Sequence, residues 1–308
     1  HTAILEVTSD VGYHEEPGAG HWWDGDAAEG ADCVDWPPIF DFFQAHTLDP
    51  YELEFDFKSP GPWYTASHSY ATIRSTNTAR DDCTLSSTYE NGALVLTTTN
   101  TRSLEIDGAV LRAKGINTIE VNGESHDLSD GTLFIGPTEG KNREVHGPYN
   151  QVFQKPFGFV YPDDDQQSAN YASYLISQWN IIGNGHAFAL PRSALNETIY
   201  ASYNLIHIGA LSDDIGNPEV PFEWDASGIT ANGATYSAIS MLFLFSAHDR
   251  VSALIYAPPG MTHLLYGVVP FSSRSGMPDY LLWYETGLLG AGHFDANWLY
   301  DASQGVMP

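Results

Sequence analysis

The chain has 308 residues, with 12 Lys and Arg against 39 Asp and Glu, and its formal net charge is −27 with neutral histidines. A field of this sign repels a phosphate backbone, so the charge excludes nucleic acid as a partner. Hydrophobic residues make up 43% of the chain, which is enough for a packed core. No run approaches the roughly 18 apolar residues that a membrane-spanning helix needs.

The first 48 residues contain the stretch that points most directly to chemistry. Residues 2–7 are typical of the end of a helix, and residues 11–16 are typical of a short strand. A Gly18-Ala19-Gly20 run then precedes His21. Glycines permit a sharp turn, and such a turn lifts an imidazole out of a sheet into a cleft. Histidine is the side chain whose ordinary pKa suits proton transfer near neutral pH, so His21 is the candidate catalytic residue.

The segment after His21 is an acidic, glycine-rich loop followed by a predicted helix over residues 33–46. Asp35 is a favourable N-cap for this helix, and two prolines occupy its first turn. The stretches YHEEPGAGHWW and CVDWPPIFDFFQ resemble the C-terminal end of an α/β-hydrolase catalytic domain. More narrowly, they resemble secreted or bacterial serine hydrolases of the prolyl-oligopeptidase type. The resemblance implies that His21 is the general base of a catalytic triad and that Trp22 and Trp23 line the cleft.

The triad of this family follows the chain order serine, acid, histidine, which places two of its members upstream of His21. The chain contains no Gly-x-Ser-x-Gly motif; the nearest spacing, over residues 136–140, has Thr138 at its centre. We therefore expect the chain to be the C-terminal portion of a longer peptidase or esterase that acts by acyl transfer. Its expected partners are a peptide or ester substrate and the N-terminal half of the same precursor, or a second copy of itself.

Residues 49–144 are predicted to form an antiparallel β-rich region. Apolar and polar residues alternate from Tyr51 to Phe57, as in a half-buried strand. Asn91-Gly92 and Asn122-Gly123 are strong signals for two-residue hairpin turns. Further strands are predicted over residues 69–75, 83–89, 93–99, 103–106 and 117–121.

Residues 145–308 are predicted to form an α/β module with a mainly parallel sheet. A buried strand at 156–161 precedes a helix at 166–180, which Asp163-Asp164-Asp165 cap and Gly183-Asn184-Gly185 end. This alternation is typical of a parallel sheet, and the module resembles the accessory part that follows the catalytic domain in the same hydrolases. Other predicted strands cover residues 186–190, 203–208, 238–246, 253–257 and 280–284, and residues 290–298 are predicted to close the chain as a loop.

The two cysteines, Cys33 and Cys83, either form a disulfide or remain as two buried thiols. Secretion favours the disulfide, because structural disulfides persist in oxidising compartments. The sequon Asn196-Glu197-Thr198 makes Asn196 a candidate glycosylation site in a secreted eukaryotic protein. The expected localisation is therefore extracellular.

Two alternatives to a hydrolase remain open from the sequence. The missing triad members and the acidity also suit a non-catalytic secreted interaction or structural module. A more remote alternative is a copper enzyme that binds its metal through an N-terminal histidine, here His1. The histidine spacings match no zinc motif, and neither GxGxxG nor a P-loop is present, so we expect no metal and no cofactor. Gly290-Ala291-Gly292-His293 repeats the pattern around His21, but no nucleophile motif precedes it, and a structural loop is the favoured interpretation.

Overall fold

A computed structural model describes most of the chain, in the following ranges: 2–6, 8–9, 11–13, 15, 17–21, 37–79, 81–209, 222–225, 228–231, 233–258, 262–267 and 277–306. The protein is of mixed α/β class and divides into two compact units, His1–Glu52 and Leu53–Pro308. Among the described residues, no helix has both the length and the apolar character needed to cross a membrane.

The described part of the first unit contains two short helices, α1 (Thr2–Leu5) and α2 (Pro37–Ala45). Helix α2 confirms the second half of the helix predicted over 33–46, while the proposed N-cap Asp35 lies outside the described residues. The strand predicted from residue 11 is wrong for residues 11–13, which are irregular. These residues gain no ladder hydrogen bonds, because the described part of this unit contains no strand that could pair with them.

Nine strands follow in residues 53–144, with one helix, α3 (Gly108–Ala113), between the sixth and seventh. The strands are β1 (Phe55–Ser59), β2 (Ser67–His68), β3 (Ala71–Thr76), β4 (Cys83–Glu90), β5 (Ala93–Thr99), β6 (Thr101–Asp107), β7 (Thr118–Val121), β8 (Glu124–Asp127) and β9 (Thr132–Ile135). They form one sheet in the order β1-β4-β5-β7-β8 and a second in the order β2-β3-β6-β9. All pairs are antiparallel as predicted, except β5 and β7, which are parallel.

The first core lies on the inner faces of these two sheets. Burial alternates along β4, as period-two side chains require, and Leu85, Leu96 and Ile106 are fully buried. Both predicted hairpins are confirmed: Asn91-Gly92 and Asn122-Gly123 have positive φ at both positions, which a type I′ turn demands.

The described part of residues 145–308 contains two helices, α4 (Gln166–Gly183) and α5 (Glu197–Ser202), and three 3₁₀ turns, Tyr149–Gln154, Arg192–Ala194 and Thr262–Gly267. The described strands are β10 (Phe157–Tyr161), β11 (Phe188–Pro191), β12 (Asn204–Ile208), β13 (Glu223–Asp225), β14 (Gly228–Ala231), β15 (Ala234–Tyr236), β16 (Ser240–Ala247), β17 (Arg250–Tyr256), β18 (Tyr280–Tyr284), β19 (Gly287–Phe294) and β20 (Tyr300–Val306). Strands β13 to β15 form a small antiparallel sheet.

The other eight strands form one sheet in the order β11-β10-β12-β17-β16-β18-β19-β20. The predicted parallel arrangement is confirmed from β11 to β17, and the pairs from β17 to β20 are antiparallel. The direction changes at a tight hairpin between β16 and β17, where His248 and Asp249 both have positive φ. The prediction of a mainly parallel sheet is therefore wrong, because three of its seven strand pairs are parallel and four are antiparallel.

Helix α4 begins and ends as the sequence predicts. The Asp165 carboxylate accepts hydrogen bonds from the backbone N–H groups of Gln167 and Ser168. At the other end Asn184 adopts the left-handed conformation typical of a helix C-terminus, so the helix ends at Gly183, three residues beyond the predicted end at residue 180.

The loop predicted over residues 290–298 is wrong for residues 290–294, because Gly287–Phe294 form β19 and pair with both β18 and β20, whereas residues 295–298 lie outside any strand. The glycines are needed for close approach of backbones. A Cβ at Gly292 would lie 2.5 Å from the Cα of Gly305 on the neighbouring strand and equally close to the Tyr280 hydroxyl. Here a glycine-rich stretch indicates a crowded strand rather than a turn.

Candidate functional site

His21 follows a short turn in the first unit. Gly18 adopts a positive φ of 81°, which confirms the need for glycine there, and the His21 side chain is exposed. Trp22 and Trp23, predicted to line the cleft, lie outside the described residues. The structure thus gives the solvent access that a general base requires, while the described residues leave the predicted cleft untested.

Helix α2 of the same unit exposes a large apolar surface. None of its residues is buried, and Phe43 is 67% exposed, with Phe40 and Phe42 also exposed. Ile4 and Leu5 on helix α1 are exposed as well. Soluble monomers rarely expose clustered apolar side chains of this size, so the helix surface is typical of one that is covered by another protein surface.

Cys83 is a buried free thiol in the structure. Its sulfur lies 3.7 Å from the Asn100 carbonyl oxygen and 3.9 Å from that of Asp81. Burial, followed by the nearby carboxylates of Asp82 and Asp81, raises the pKa of the Cys83 thiol to about 11. The described part of the chain contains no disulfide, and the proposed partner Cys33 lies outside it.

Asn196 is exposed and is the N-cap of helix α5. Its side-chain oxygen accepts a hydrogen bond from the backbone N–H of Ile199 at 3.1 Å. The sequon asparagine therefore has an evident structural role at the start of the helix, independent of glycosylation.

A buried charged cluster, which we call the Lys141 cluster, consists of Lys141, Asp279 and His293. The Lys141 ammonium lies 2.5 Å from Asp279 Oδ2 and donates a second hydrogen bond to the Phe294 carbonyl oxygen at 2.6 Å. His293 Nδ1 lies 3.3 Å from Asp279 Oδ1. The Phe294 backbone N–H also donates to Asp279 Oδ2, at 2.9 Å. The carboxylate thus has a cation, an imidazole and an amide around it.

The cluster is enclosed on every described side. The Asp279 side chain is 0% exposed and that of Lys141 is 9% exposed. The ammonium also lies 5.0 Å from the centre of the Trp298 ring. Gly147, with φ of 81°, packs so closely that a Cβ there would overlap Asp279 Oδ1.

Opposing effects act on the pKa of Asp279. Burial acts to raise it, but the Lys141 ammonium and His293 act to lower it, and the net direction is downward. The carboxylate is therefore ionised at neutral pH. A fully enclosed carboxylate has no room for a substrate, so this cluster joins the loop that carries Lys141 to the β18 and β19 strands.

Sequence reasoning did not find this cluster. Lys141 and Asp279 are 138 residues apart, and neither belongs to a recognisable motif. The sequence pattern around His293 predicts a structural loop, whereas the structure places this residue on strand β19. Two further hydrogen bonds link the β region to residues near His293: Arg102 on β6 donates to the Ala296 carbonyl oxygen at 2.9 Å and to Asn297 Oδ1 at 2.7 Å.

Among the residues that the structure describes, no three His, Cys, Asp or Glu side chains lie close enough to hold a metal ion. His1, the residue on which the copper alternative depends, is outside that part of the chain.

Comparison with known proteins gives no assignment. No family model matches the chain, and a search of curated proteins found no match.

Proposed function

We propose that this chain supplies the general base His21 of a secreted serine hydrolase with peptidase or esterase activity. In this proposal residues 1–48 are the C-terminal end of an α/β-hydrolase domain. The nucleophile and the acid come from outside these 308 residues. The observation that carries the proposal is the exposed imidazole of His21, which follows a turn that requires glycine at position 18.

The apolar surface of helix α2 supports the same proposal. A terminal helix of a hydrolase domain packs against the rest of that domain, and this contact would cover the exposed rings of Phe40 and Phe43. The favoured occupant is therefore the remainder of the catalytic domain. A second copy of the chain would cover the helix without supplying a nucleophile.

The mechanism that this assignment implies is acyl transfer through a covalent intermediate. The serine hydroxyl attacks the substrate carbonyl carbon while His21 removes its proton. The protonated imidazole then donates that proton to the leaving amine or alcohol. A water molecule, deprotonated by His21, hydrolyses the acyl-enzyme and releases the acid product.

The test compares two histidine variants of the protein in its native, assembled form. His21→Ala should lower ester and peptide hydrolysis by about 10²–10⁴-fold, the usual contribution of a general acid–base residue. His46→Ala is the matched control, because His46 is also an exposed histidine of the first unit; its ring stacks on Phe42 at 4.0 Å. Full activity of His21→Ala, or equal losses in both variants, would refute the assignment.

A non-catalytic role as a binding module is the second candidate. The observation that favours it is a polar cleft on the Leu53–Pro308 unit, described below. A folded native protein that hydrolyses no ester or peptide and has no serine reactive towards phosphonate probes would favour this role.

A further inference from the structure

A cleft of about 440 Å³ opens on the Leu53–Pro308 unit. Its walls come from residues 62–67, from the turn at residues 143–146 and from Gln154, the last residue of a 3₁₀ turn. The volume lies within the range of about 300–1,000 Å³ that small-molecule sites occupy. The cleft is therefore large enough for a ligand.

Two adjacent aromatic rings form one wall. Trp63 and Tyr64 have ring centres 6.2 Å apart, and the Trp63 ring stacks on His146 at 5.4 Å. Trp63 is thus held in place, while Tyr64 is 76% exposed, the most exposed Phe, Trp or Tyr among the described residues. An exposed ring beside a fixed one offers a flat surface on which another ring can stack.

Arg143 adds a cation to the lining of the cleft. Arg143 is exposed, and among the described residues no carboxylate lies within 4 Å of its guanidinium. The neighbouring carboxylate of Glu144 is already engaged by the Lys155 ammonium at 3.1 Å, and this hydrogen bond lowers the pKa of Glu144. The Arg143 guanidinium can donate two hydrogen bonds to a ligand carboxylate, and this short-range attraction acts against the repulsion that a net charge of −27 exerts on an anion.

The turn that carries Arg143 is held by its own hydrogen bonds. Asn142 Oδ1 accepts from the backbone N–H groups of residues 144 and 145, at 2.8 and 3.1 Å. Gln151 Oε1 accepts from the N–H groups of residues 146 and 147, both at 2.8 Å. The backbone that carries Arg143 is therefore fixed before any ligand arrives, which lowers the entropy cost of binding.

Most of the remaining groups that line the cleft are neutral and polar. Burial lowers the pKa of His146 to about 4, so its imidazole is uncharged at neutral pH. Ser67 and Gln154 add a hydroxyl and an amide. The aliphatic contribution is small, since only Pro62 and Ala66 line the cleft. Such a lining suits a ligand that has many hydroxyl groups and few apolar side chains, which favours a saccharide over a peptide.

We propose that this cleft binds an acidic saccharide, with a uronic-acid unit as the recognised group. The sugar ring stacks on Tyr64, its carboxylate accepts two hydrogen bonds from Arg143, and its hydroxyls contact Ser67 and Gln154. The site is independent of the serine hydrolase proposal, because it uses none of the residues of the first unit.

The experiment is calorimetric titration of the full chain with trigalacturonate and, separately, with neutral galactotriose. Trigalacturonate should bind more tightly than galactotriose, because only its carboxylates can accept hydrogen bonds from Arg143. Arg143→Gln should weaken trigalacturonate binding by about 10- to 100-fold, and Tyr64→Ala by about tenfold. Tyr64→Phe keeps the ring and should bind normally. Arg112→Gln removes an arginine that does not line the cleft and is the matched control.

Three results would overturn the proposal. One is no binding of trigalacturonate by a chain that circular dichroism shows to be folded. A second is equal affinity for the neutral and the acidic trisaccharide, with no effect of Arg143→Gln. The third is tight binding of an acidic peptide with none of either saccharide. Because Tyr64 and Arg143 are both exposed, neither substitution is expected to unfold the protein.

Discussion

Replacement of Lys141 by methionine should destabilise the protein far more than a surface substitution does. Methionine keeps an unbranched apolar side chain but removes the ammonium, which lies 5.0 Å from the centre of the Trp298 ring. Asp279, which is 0% exposed, then has no cation at 2.5 Å. Removal of one partner from a buried ion pair costs about 3–5 kcal/mol, because the remaining charge is neither solvated nor paired.

The structure places the expected cost near the lower end of that range. Asp279 keeps the hydrogen bond from the Phe294 N–H at 2.9 Å, and His293 Nδ1 remains 3.3 Å from its other oxygen. The Phe294 carbonyl oxygen loses its donor, which adds about 1 kcal/mol. We therefore expect the free energy of unfolding to fall by about 3–4 kcal/mol at pH 7.

Urea unfolding of the full chain, followed by circular dichroism, measures this change. Lys155→Met is the matched control, since Lys155 also pairs with a carboxylate, at 3.1 Å, but both side chains are at least half exposed. Exposed pairs contribute about 0–1 kcal/mol. Equal stabilities of Lys141→Met and Lys155→Met would refute the argument that the Lys141 cluster holds the unit together.

The pH dependence provides a second readout for the same variant. In the wild type the pKa of Asp279 is lowered on folding. Its ionised carboxylate therefore stabilises the folded state above about pH 4, and this stabilisation is lost as the pH falls further. Without Lys141, burial raises the pKa of Asp279, and protonation then relieves the buried charge. The difference in the free energy of unfolding between the wild type and Lys141→Met should therefore be largest at pH 7 and should decrease towards pH 4.

Three further predictions concern single residues. Gly147→Ala should lower the free energy of unfolding by about 2 kcal/mol or more, because its Cβ would overlap the Asp279 carboxylate at a φ of 81°. Gly123→Ala should lower it by only about 1 kcal/mol, because Gly123 has a similar φ of 89° but nothing within 4 Å of the added Cβ. The midpoints of urea unfolding distinguish the two variants, and equal losses of stability would contradict the overlap with Asp279. The buried thiol of Cys83, with a pKa raised to about 11, should react with a thiol reagent at pH 8 only after denaturation; fast reaction in the folded state would contradict its burial. Burial lowers the pKa of His207 to about 3, so the unfolded state takes up the proton first and stability is lost as the pH falls below about 6.5. His207→Leu should lose less stability than wild type between pH 7 and pH 4, and an unchanged pH profile would contradict this assignment.

Local signals in the sequence predicted much of the β region and the entry into the α/β module. Asn91-Gly92 predicted a hairpin because few other dipeptides accept positive φ twice. The N-cap Asp165 and the C-cap Asn184 of helix α4 could also be predicted, because each depends on only a few neighbouring residues. These features need no knowledge of the rest of the chain.

Features that depend on tertiary contacts were missed. His248-Asp249 forms a hairpin turn without glycine, so the change from parallel to antiparallel strands carried no sequence signal. Gly292 was interpreted as a loop residue, although the close approach of Gly305 is what requires it.

The Lys141 cluster shows the same limit at the level of a site. Lys141 and Asp279 are 138 residues apart, and their pairing becomes visible only after the β region and the α/β module are folded against each other. The Arg143 cleft likewise combines residues 62–67 with a turn 80 residues later in the chain. By contrast, His21 was identified from its immediate neighbours, above all the Gly18-Ala19-Gly20 run, and its catalytic role remains a prediction.

The measurement that tests the central claim most directly is labelling of the native protein with a fluorophosphonate probe, followed by denaturing separation. The protein is isolated with any chain that accompanies it, in wild-type form and as His21→Ala. The account predicts a labelled serine in the wild-type preparation and loss of most of the labelling in His21→Ala, with the same chains still associated. A folded wild-type preparation in which no serine is labelled, or undiminished labelling in His21→Ala, would contradict it.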